Sequence, residues 1–316
     1  MDHRSSLDQR VLVWRFLADD AGNAEGHARR VTGLAAASDG QRFVSGSDDR
    51  TARLWDLAQG VELRTMSGHG GALTAVAFSP DGRQIATAGQ DRKIKTWNAT
   101  TGLEVNAFES RDEVLLLAYS PDSQSILAWV RRRAVSDEDS TDTIQKFEAA
   151  TLKPLDALTD RGRRVTCLSL SADGAWAAMG AADGGVRIWD LAKKERIGAD
   201  RSLMSKPIWD VALTPDKSAL IAADKDGQIQ VVSLAGSSET RSLKSTIRSL
   251  DGSQVAADGK RFAVYGDGRV ELRSLPTGDV LRSWSLAGVR SLAFVPNSRT
   301  LLAGLDTSVI IALEGP

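Results

Sequence analysis

Residues 44–56 read VSGSDDRTARLWD, and this stretch returns along the chain in recognisable copies. Clear copies are ATAGQDRKIKTWN at 86–98 and AMGAADGGVRIWD at 178–190. Weaker copies are AADKDGQIQVVS at 222–233, VYGDGRVELRS at 264–274 and AGLDTSVIIAL at 303–313. In the clear copies an aspartate lies six residues before a tryptophan. The chain of 316 residues is therefore built from repeats, which lets it exceed the usual size of one hydrophobic core.

A second marker, a turn such as SPDG at 79–82 or SADG at 171–174, precedes the copies and fixes their period. The tryptophan, or the residue in its place, falls at positions 14, 55, 97, 147, 189, 232, 273 and 312. One step is long because of an insertion. Between these anchors, short stretches alternate apolar and polar residues and are separated by turn residues, which is typical of strands. Four short strands in each period predict the blade of a β-propeller.

The chain resembles the WD-repeat β-propellers over nearly its whole length. The resemblance rests on Gly-His pairs that include His27 and His69, on the SPDG-type turns, and on Trp-Asp pairs at Trp55 and Trp189. It implies an all-β fold, a seven-bladed β-propeller of four-stranded antiparallel blades. We expect residues 1–316 to form a single propeller domain.

Closure of the ring is a separate question, because the last repeat ends after its third strand. The apolar segment RVLVWRF at 10–16 can supply the missing strand, as the N-terminal strand usually does in the family. The alternative is that this segment belongs to a preceding repeat of a longer protein. We expect the N-terminal strand to complete the last blade.

The opening stretch also contains the residue types of a hydrolase triad, with Ser45 and Asp49 downstream of His27. The resemblance assigns them a different role, because they match a hydrogen-bonded structural tetrad of the family. The two predicted tetrads are His27, Ser45, Asp49 and Trp55, and His69, Thr87, Asp91 and Trp97. No G-x-S-x-G motif is present, and we predict no catalytic residue. Blades three to seven lack a full tetrad and are expected to rely more on apolar packing.

Composition narrows the classes of partner. The chain has 40 Lys and Arg against 41 Asp and Glu, a net charge of -1, which does not favour nucleic-acid binding. No apolar run is long enough to cross a bilayer, so we expect a soluble, cytoplasmic protein without membrane contact. With three histidines and the single Cys167, the sequence indicates no metal site and no cofactor. The Ala and Arg content gives the impression of a bacterial sequence.

Two features indicate where a partner binds. The insertion RRRAVSDEDSTD at 131–142 lies between the second and third strands of blade three and begins with Arg131, Arg132 and Arg133. It is either a solvated hairpin extension or a partner-binding loop. The resemblance places such loops on the narrow top face of the propeller.

The second feature is one position near the start of each first strand, held by Thr74 in blade two. The resemblance places this position at the top rim of the central channel. Its occupants in blades five, six and seven are predicted to be Trp209, Arg248 and Arg290, residue types that dominate interface hot spots. Packing between blades is the alternative role for Trp209.

These observations favour a non-catalytic scaffold that binds an unidentified protein or peptide on its top face and is monomeric by itself. One alternative is a targeting or regulatory module of a longer multidomain protein. Another is a propeller that binds a small ligand, or acts as an enzyme, in its central channel.

Overall fold

The computed structural model describes residues 11–14, 26–132, 141–161, 164–235 and 239–315, with the backbone alone at 11–14 and 161. The described strands form seven antiparallel sheets arranged as the blades of a propeller. The predicted all-β, seven-bladed fold is confirmed.

The first three blades follow one another along the chain. Blade one contains β2 (Val31–Ala36), β3 (Arg42–Ser47), β4 (Thr51–Asp56) and β5 (Glu62–Ser67). Blade two contains β6 (Leu73–Phe78), β7 (Gln84–Gly89), β8 (Lys93–Asn98) and β9 (Glu104–Glu109). Blade three contains β10 (Glu113–Tyr119), β11 (Ser125–Arg132), β12 (Thr141–Glu148) and β13 (Pro154–Arg161).

Blades four to six continue the pattern, with one irregular outer strand. Blade four contains β14 (Val165–Leu170), β15 (Trp176–Ala181) and β16 (Gly185–Asp190), and its outer strand is split into β17 (Glu195–Arg196) and β18 (Arg201–Ser202). Blade five contains β19 (Ile208–Leu213), β20 (Ala219–Asp224), β21 (Gln228–Ser233) and β22 (Thr240–Lys244). Blade six contains β23 (Gly252–Val255), β24 (Arg261–Gly266), β25 (Arg269–Ser274) and β26 (Val280–Ser285).

Blade seven combines the two ends of the described chain. It contains β27 (Val289–Phe294), β28 (Thr300–Leu305), β29 (Ile310–Glu314) and, as its outer strand, β1 (Val11–Trp14). The pairing is antiparallel and runs from Val11 opposite Leu313 to Trp14 opposite Ile310. In this arrangement β29 has a hydrogen-bonded neighbour on both sides.

The core lies between neighbouring blades. In six of the seven blades the second strand has one partly exposed residue followed by five buried ones. Such a strand is flanked within its sheet and covered on both faces, so it reads as a nearly continuous apolar run. One core cluster joins Phe43 and Trp55 of blade one to Val295 and Leu302 of blade seven.

Glycines allow the blades to approach closely. A Cβ on Gly46 would lie 2.6 Å from Val76 Cγ1, a side chain of the next blade. A Cβ on Gly180 would likewise lie 2.6 Å from Ile208 Cγ2, a side-chain atom of the following blade. A side chain at these positions would push the blades apart, so the small residues are part of the inter-blade packing.

One end of the propeller carries the turns between second and third strands together with the loops that lead into the first strands. Antiparallel pairing places both sets at the same end of the ring. We call this end the top face and the opposite end the bottom face. β11 ends at Arg132 and β12 begins at Thr141, both at the top face, and residues 133–140 of the predicted insertion lie outside the described residues.

Candidate functional site

The structure brings the four residues of the first predicted tetrad together. His27 Nδ1 lies 2.9 Å from Asp49 Oδ2, and His27 Nε2 lies 2.7 Å from Ser45 Oγ. Trp55 Nε1 donates to the same Ser45 hydroxyl at 2.7 Å. The loop that enters blade one is thus joined to the second and third strands of that blade.

The direction of this hydrogen-bond chain follows from the charge of Asp49. The His27 ring and the hydroxyl and backbone donors around Asp49 outweigh its burial and hold the pKa of that carboxyl well below its ordinary value. An ionised Asp49 can only accept, so His27 carries its proton on Nδ1. The unprotonated Nε2 then accepts from the Ser45 hydroxyl, and Ser45 accepts from Trp55.

These distances are also those of a Ser-His-Asp triad, and burial separates the two interpretations. Ser45 is 0% exposed and His27 is 5% exposed, so a substrate cannot reach the hydroxyl. The indole N–H of Trp55 occupies a lone pair of the Ser45 oxygen that a nucleophile would need. The arrangement can join elements of a blade, but it offers no access for acyl transfer.

The second tetrad repeats this geometry in blade two. His69 Nε2 lies 2.8 Å from Thr87 Oγ1, which also accepts from Trp97 Nε1 at 2.8 Å. His69 Nδ1 lies 3.0 Å from the Asp91 carboxylate. Burial lowers the pKa of His69, although Asp91 opposes this effect, so the neutral ring is favoured. The replacement of Ser by Thr keeps the hydroxyl that both partners use.

The tetrad aspartates also fix the backbone of the top-face turns. Asp49 accepts from the Ala28 N–H at 2.9 Å and from the Thr51 N–H at 2.9 Å. Asp91 accepts from the Gly70 N–H at 2.7 Å in the same way. Each carboxylate therefore joins the loop that enters the blade to the turn between its second and third strands.

Buried ion pairs occur in three of the blades without a tetrad, for which we expected greater reliance on apolar packing. In blade three, Asp142 accepts from Trp129 Nε1 at 2.7 Å and from Arg131 Nε at 3.1 Å. Arg187 Nη1 of blade four lies 2.5 Å from Asp160 Oδ2 of blade three. Charged residues inside apolar third strands were the available signal for these ion pairs, but spacing does not identify their partners.

Blade six has the most extensive of these pairs. Glu271 accepts from Arg273 Nη2 at 2.7 Å and from Ser245 Oγ at 2.9 Å. The Thr246 N–H donates to the second carboxylate oxygen at 3.0 Å. Glu271 and Arg273 are 1% and 4% exposed. The pair ties the entering loop to the third strand and takes the structural place of the missing histidine.

Threonines at the rim position of the first strands join three blades to the next. Thr32 Oγ1 donates to the Leu73 carbonyl at 2.8 Å, and Thr74 Oγ1 donates to the Val114 carbonyl at 2.6 Å. Thr166 donates to the Ile208 carbonyl in the same manner. These hydroxyls stabilise contacts between blades, a role that spacing alone did not indicate.

Arg131 performs this bridging role in blade three, where the rim residue is a leucine. Its Nη2 donates to the Val165 carbonyl of blade four at 2.5 Å. Its guanidinium also lies 4.5 Å from the ring of Trp129. Arg132, by contrast, is exposed at the end of β11, and Arg133 lies outside the described residues. The structure thus commits Arg131 to packing and leaves Arg132 accessible.

Trp209 lies at the rim in blade five, where it is exposed and also contacts the next blade. Its side chain is 42% exposed, the largest exposed aromatic group among the described residues. Its Nε1 donates to the Asp251 carbonyl of blade six at 3.3 Å. Lys225 Nζ lies 4.8 Å from the ring centroid. One edge of the indole is therefore anchored while its surface stays available.

The predicted rim position of blade six is occupied by Asp251 and not by Arg248. The Asp251 N–H donates to the Tyr265 carbonyl, and β23 pairs from Gly252 onward. Arg248 is exposed in the longer loop before this strand, which spacing did not reveal. Arg290 holds the rim in blade seven, with its guanidinium half exposed and 3.7 Å from the Asp306 carboxylate.

The central channel has a volume of about 610 Å³ and is lined mainly by first strands. The ionisable residue Asp210 lines this channel. Its carboxylate accepts hydrogen bonds from the backbone N–H and the hydroxyl of Ser253 in blade six. Burial raises the pKa of Asp210 to about 6 despite these hydrogen bonds. Cys167 is buried beside this region, and burial also raises the pKa of its thiol.

Two further properties concern the described residues alone. They contain no group of three or more His, Cys, Asp or Glu side chains arranged to hold a metal ion. Within the same ranges, no helix has the length and apolar character needed to span a membrane.

Comparisons with known proteins give a consistent picture of the fold. The pattern of the family described as WD domain, G-beta repeat matches residues 22–56, 60–98 and 152–190. The small ribosomal subunit protein RACK1 of Brassica napus is 33% identical over 303 residues, which cover 89% of each chain. The protein of the same name from Dictyostelium discoideum is 42% identical over 67 residues, which cover 19% of this chain and 20% of that protein.

Among solved structures, the β-propeller domain of Cps50 (Swd1) from Myceliophteria thermophila has a TM-score of 0.74 with this chain. Its sequence identity is 18%, and the superposition covers 91% of this chain and 97% of that one. The relatives named here are eukaryotic, so they do not support the bacterial impression given by composition.

Proposed function

Because the chain belongs to the WD-repeat β-propeller family, we propose that it is a non-catalytic scaffold that binds a protein or peptide on its top face. The observation that carries this proposal is Trp209, an aromatic side chain exposed at the channel rim and anchored at one edge. Tryptophan buries a large area on binding with little loss of conformational entropy, and it is enriched in interface hot spots.

Arg290 extends this surface across the channel mouth. Its guanidinium is 45% exposed, and its ion pair with Asp306 is long, at 3.7 Å. An exposed pair of this length is weak, so a partner can replace Asp306 at little cost. Arg248 and Arg132 offer further exposed guanidinium groups on the same face.

A rigid platform supports recognition by side chains of this kind. The tetrads and the inter-blade hydrogen bonds hold the top-face turns in place, so little order has to be imposed when a partner binds. The Brassica relative is by name a protein of the small ribosomal subunit, hence a component of an assembly. We propose the same class of role here, with residues 1–316 acting as one monomeric, cytoplasmic propeller.

Affinity capture from cell extract tests the proposal with two matched double variants. Trp209→Ala with Arg290→Glu alters the top face, and Leu103→Ala with Arg299→Glu makes comparable changes at exposed positions on the bottom face. We expect the top-face variant to lose specific partners that the wild type and the bottom-face variant retain. Equal capture by all three folded proteins would reject the top face as the binding surface.

A further inference from the structure

Five exposed arginines lie together on the top face of blades two to four and the adjoining turn of blade one. They are Arg50, Arg92, Arg111, Arg132 and Arg164, and we call them the arginine arc. Arg50 and Arg92 belong to the turns between second and third strands. Arg111 and Arg164 lie in loops that enter first strands, and Arg132 ends β11.

Contacts between the loops connect two members of the arc directly and place the backbones of two others at one blade boundary. Arg92 Nη1 donates to the Arg111 carbonyl at 3.4 Å, which joins blade two to the entrance of blade three. Arg131 donates to Val165, the neighbour of Arg164, at the boundary of blades three and four. The exposed side chain of Arg132 follows directly after Arg131.

None of the five guanidinium groups forms an ion pair with a carboxylate in the part of the chain that the structure describes. Three aspartates near the arc form hydrogen bonds with other groups. Asp49 and Asp91 accept from the tetrad histidines, and Asp142 accepts from Trp129 and Arg131. These three aspartates therefore do not pair with the arc, while Asp112 and Glu113 follow Arg111 in sequence and the whole chain has a net charge of -1.

The backbone provides an independent observation on two members of the arc. Arg50 and Arg92 have φ values of 71° and 60°, in the left-handed region that favours glycine. At the same position blades four and five have Gly184 and Gly227, with φ values of 79° and 85°. Glycine therefore fits the backbone at Arg50 and Arg92 without strain.

We infer that the arginine arc binds a polypeptide segment rich in aspartate and glutamate, and this inference rests on the proposed scaffold function. The planar guanidinium group matches a carboxylate with two parallel hydrogen bonds. The tetrad aspartates Asp49 and Asp91 fix the turns from which Arg50 and Arg92 project, so these two groups are preorganised.

The same charges favour a polypeptide over a nucleic acid. Nucleic-acid binding gains most of its affinity from counterion release by an extended basic surface, and this chain is neutral overall. The described part of the arc also contains no exposed aromatic side chain on which a base could stack, since Trp209 lies in blade five.

Fluorescence anisotropy tests the inference with two labelled probes, a peptide of alternating glutamate and serine and a single-stranded RNA of equal charge. Arg50→Gly with Arg92→Gly removes two members of the arc at positions where glycine suits the backbone, so folding is preserved. Arg111→Gln with Arg164→Gln removes two others. The control, Arg83→Gln with Arg299→Gln, makes the same change in charge at exposed positions on the bottom face.

We expect the wild type and the control to bind the peptide equally, and each arc variant to bind it about 5-fold to 10-fold more weakly. Unchanged peptide binding in both arc variants, or an equal loss in the control, would overturn the inference. Tighter binding of RNA than of peptide, with the same loss in the arc variants, would assign the arc to nucleic acid instead. If the arc fails these tests while Trp209→Ala with Arg290→Glu still loses partners, the scaffold function stands without the arc.

Discussion

The side-chain hydroxyl of each tetrad forms hydrogen bonds with both the histidine and the tryptophan. In blade two, Thr87 Oγ1 accepts from Trp97 and lies within hydrogen-bond distance of His69 Nε2. Both partners are buried, so neither can turn to water if the hydroxyl is lost. The chemistry of one side-chain oxygen therefore influences how firmly a loop and two strands hold together.

Replacement of Thr87 by valine keeps the volume and removes this oxygen. Two buried polar groups lose their partner, and we expect the free energy of unfolding to fall by about 2–4 kcal/mol. Replacement by serine keeps the hydroxyl and removes one methyl group, at a cost of about 0.8 kcal/mol. Urea denaturation of both variants measures the difference. Equal losses for valine and serine would contradict a structural role for the hydroxyl.

A second effect at the scale of single residues concerns Asp210 in the channel. Its folded pKa of about 6 lies above the ordinary value of 3.8, so between these values the folded state binds more protons than the unfolded state. The contribution of Asp210 to stability is fully present below pH 3.8 and is lost as the pH rises through about 6. His69, with a lowered pKa, acts in the opposite direction, since its contribution is lost as the pH falls below its ordinary value of 6.5.

The variant Asp210→Asn separates the contribution of Asp210 to the pH dependence of stability from that of His69. It removes the charge, so the variant should gain about 1–2 kcal/mol relative to wild type at pH 8 and lose this advantage by about pH 4. Any constant contribution of the amide is the same at both pH values. Urea denaturation of both proteins across this range provides the measurement. A difference in stability that does not vary with pH would show that the pKa of Asp210 is not raised.

At the scale of secondary-structure elements, the end of β11 shows how neighbouring residues acquire different roles. Arg131 and Arg132 are adjacent and chemically identical, and the alternation of a strand directs them to opposite faces. Arg131 meets the buried carboxylate of Asp142 and the Val165 carbonyl of the next blade. The side chain of Arg132 is exposed to solvent. The strand therefore uses one arginine to join blades and presents the other.

Alanine substitutions at these two positions form a matched pair. Arg131→Ala leaves Asp142, which is 2% exposed, with a single described donor, and removes the bond to blade four. We expect this change to cost about 2–3 kcal/mol of unfolding free energy. Arg132→Ala should change stability by less than about 0.5 kcal/mol. Thermal or urea denaturation of the two variants tests this, and similar losses would contradict the assignment.

At the scale of the whole molecule, the ring depends on the pairing of β1 with β29. Without β1, the backbone N–H and C=O groups on one side of β29 would be left unpaired, which is a common origin of aggregation. The described contact consists of four paired positions. Closure therefore joins the two ends of the described chain, as the pairing of Val11 with Leu313 shows.

Truncation tests this closure. Deletion of residues 1–16 should lower the free energy of unfolding by about 2 kcal/mol or more, because paired backbone groups and buried area are lost together. The same deletion should promote self-association through the exposed edge of β29. Deletion of residues 1–9, which spares the paired strand, serves as the control. Calorimetry and size-exclusion chromatography distinguish the two, and equal behaviour would show that β1 is dispensable.

Much of this architecture was predictable because its determinants are local in sequence. The period, the turn residues and the alternation of apolar positions specify strands and blades over short distances. The tetrads were also accessible, because the four residue types recur at fixed spacing in blades one and two. The repeated strands follow from such local patterns, and the pairing of His27 with Asp49 was implied by the resemblance to the family that these patterns carry.

Other features were decided by tertiary structure alone, because they depend on which distant residues meet. The sequence does not show that Arg187 meets Asp160, that Arg131 bridges two blades, or that Asp251 displaces Arg248 from the rim. A charged residue in a strand acquires its role from its burial and its partner, and both are set by the neighbouring blade. The sequence by itself determined that this chain is a propeller, and the packing of its blades decided which side chains brace the ring and which remain exposed.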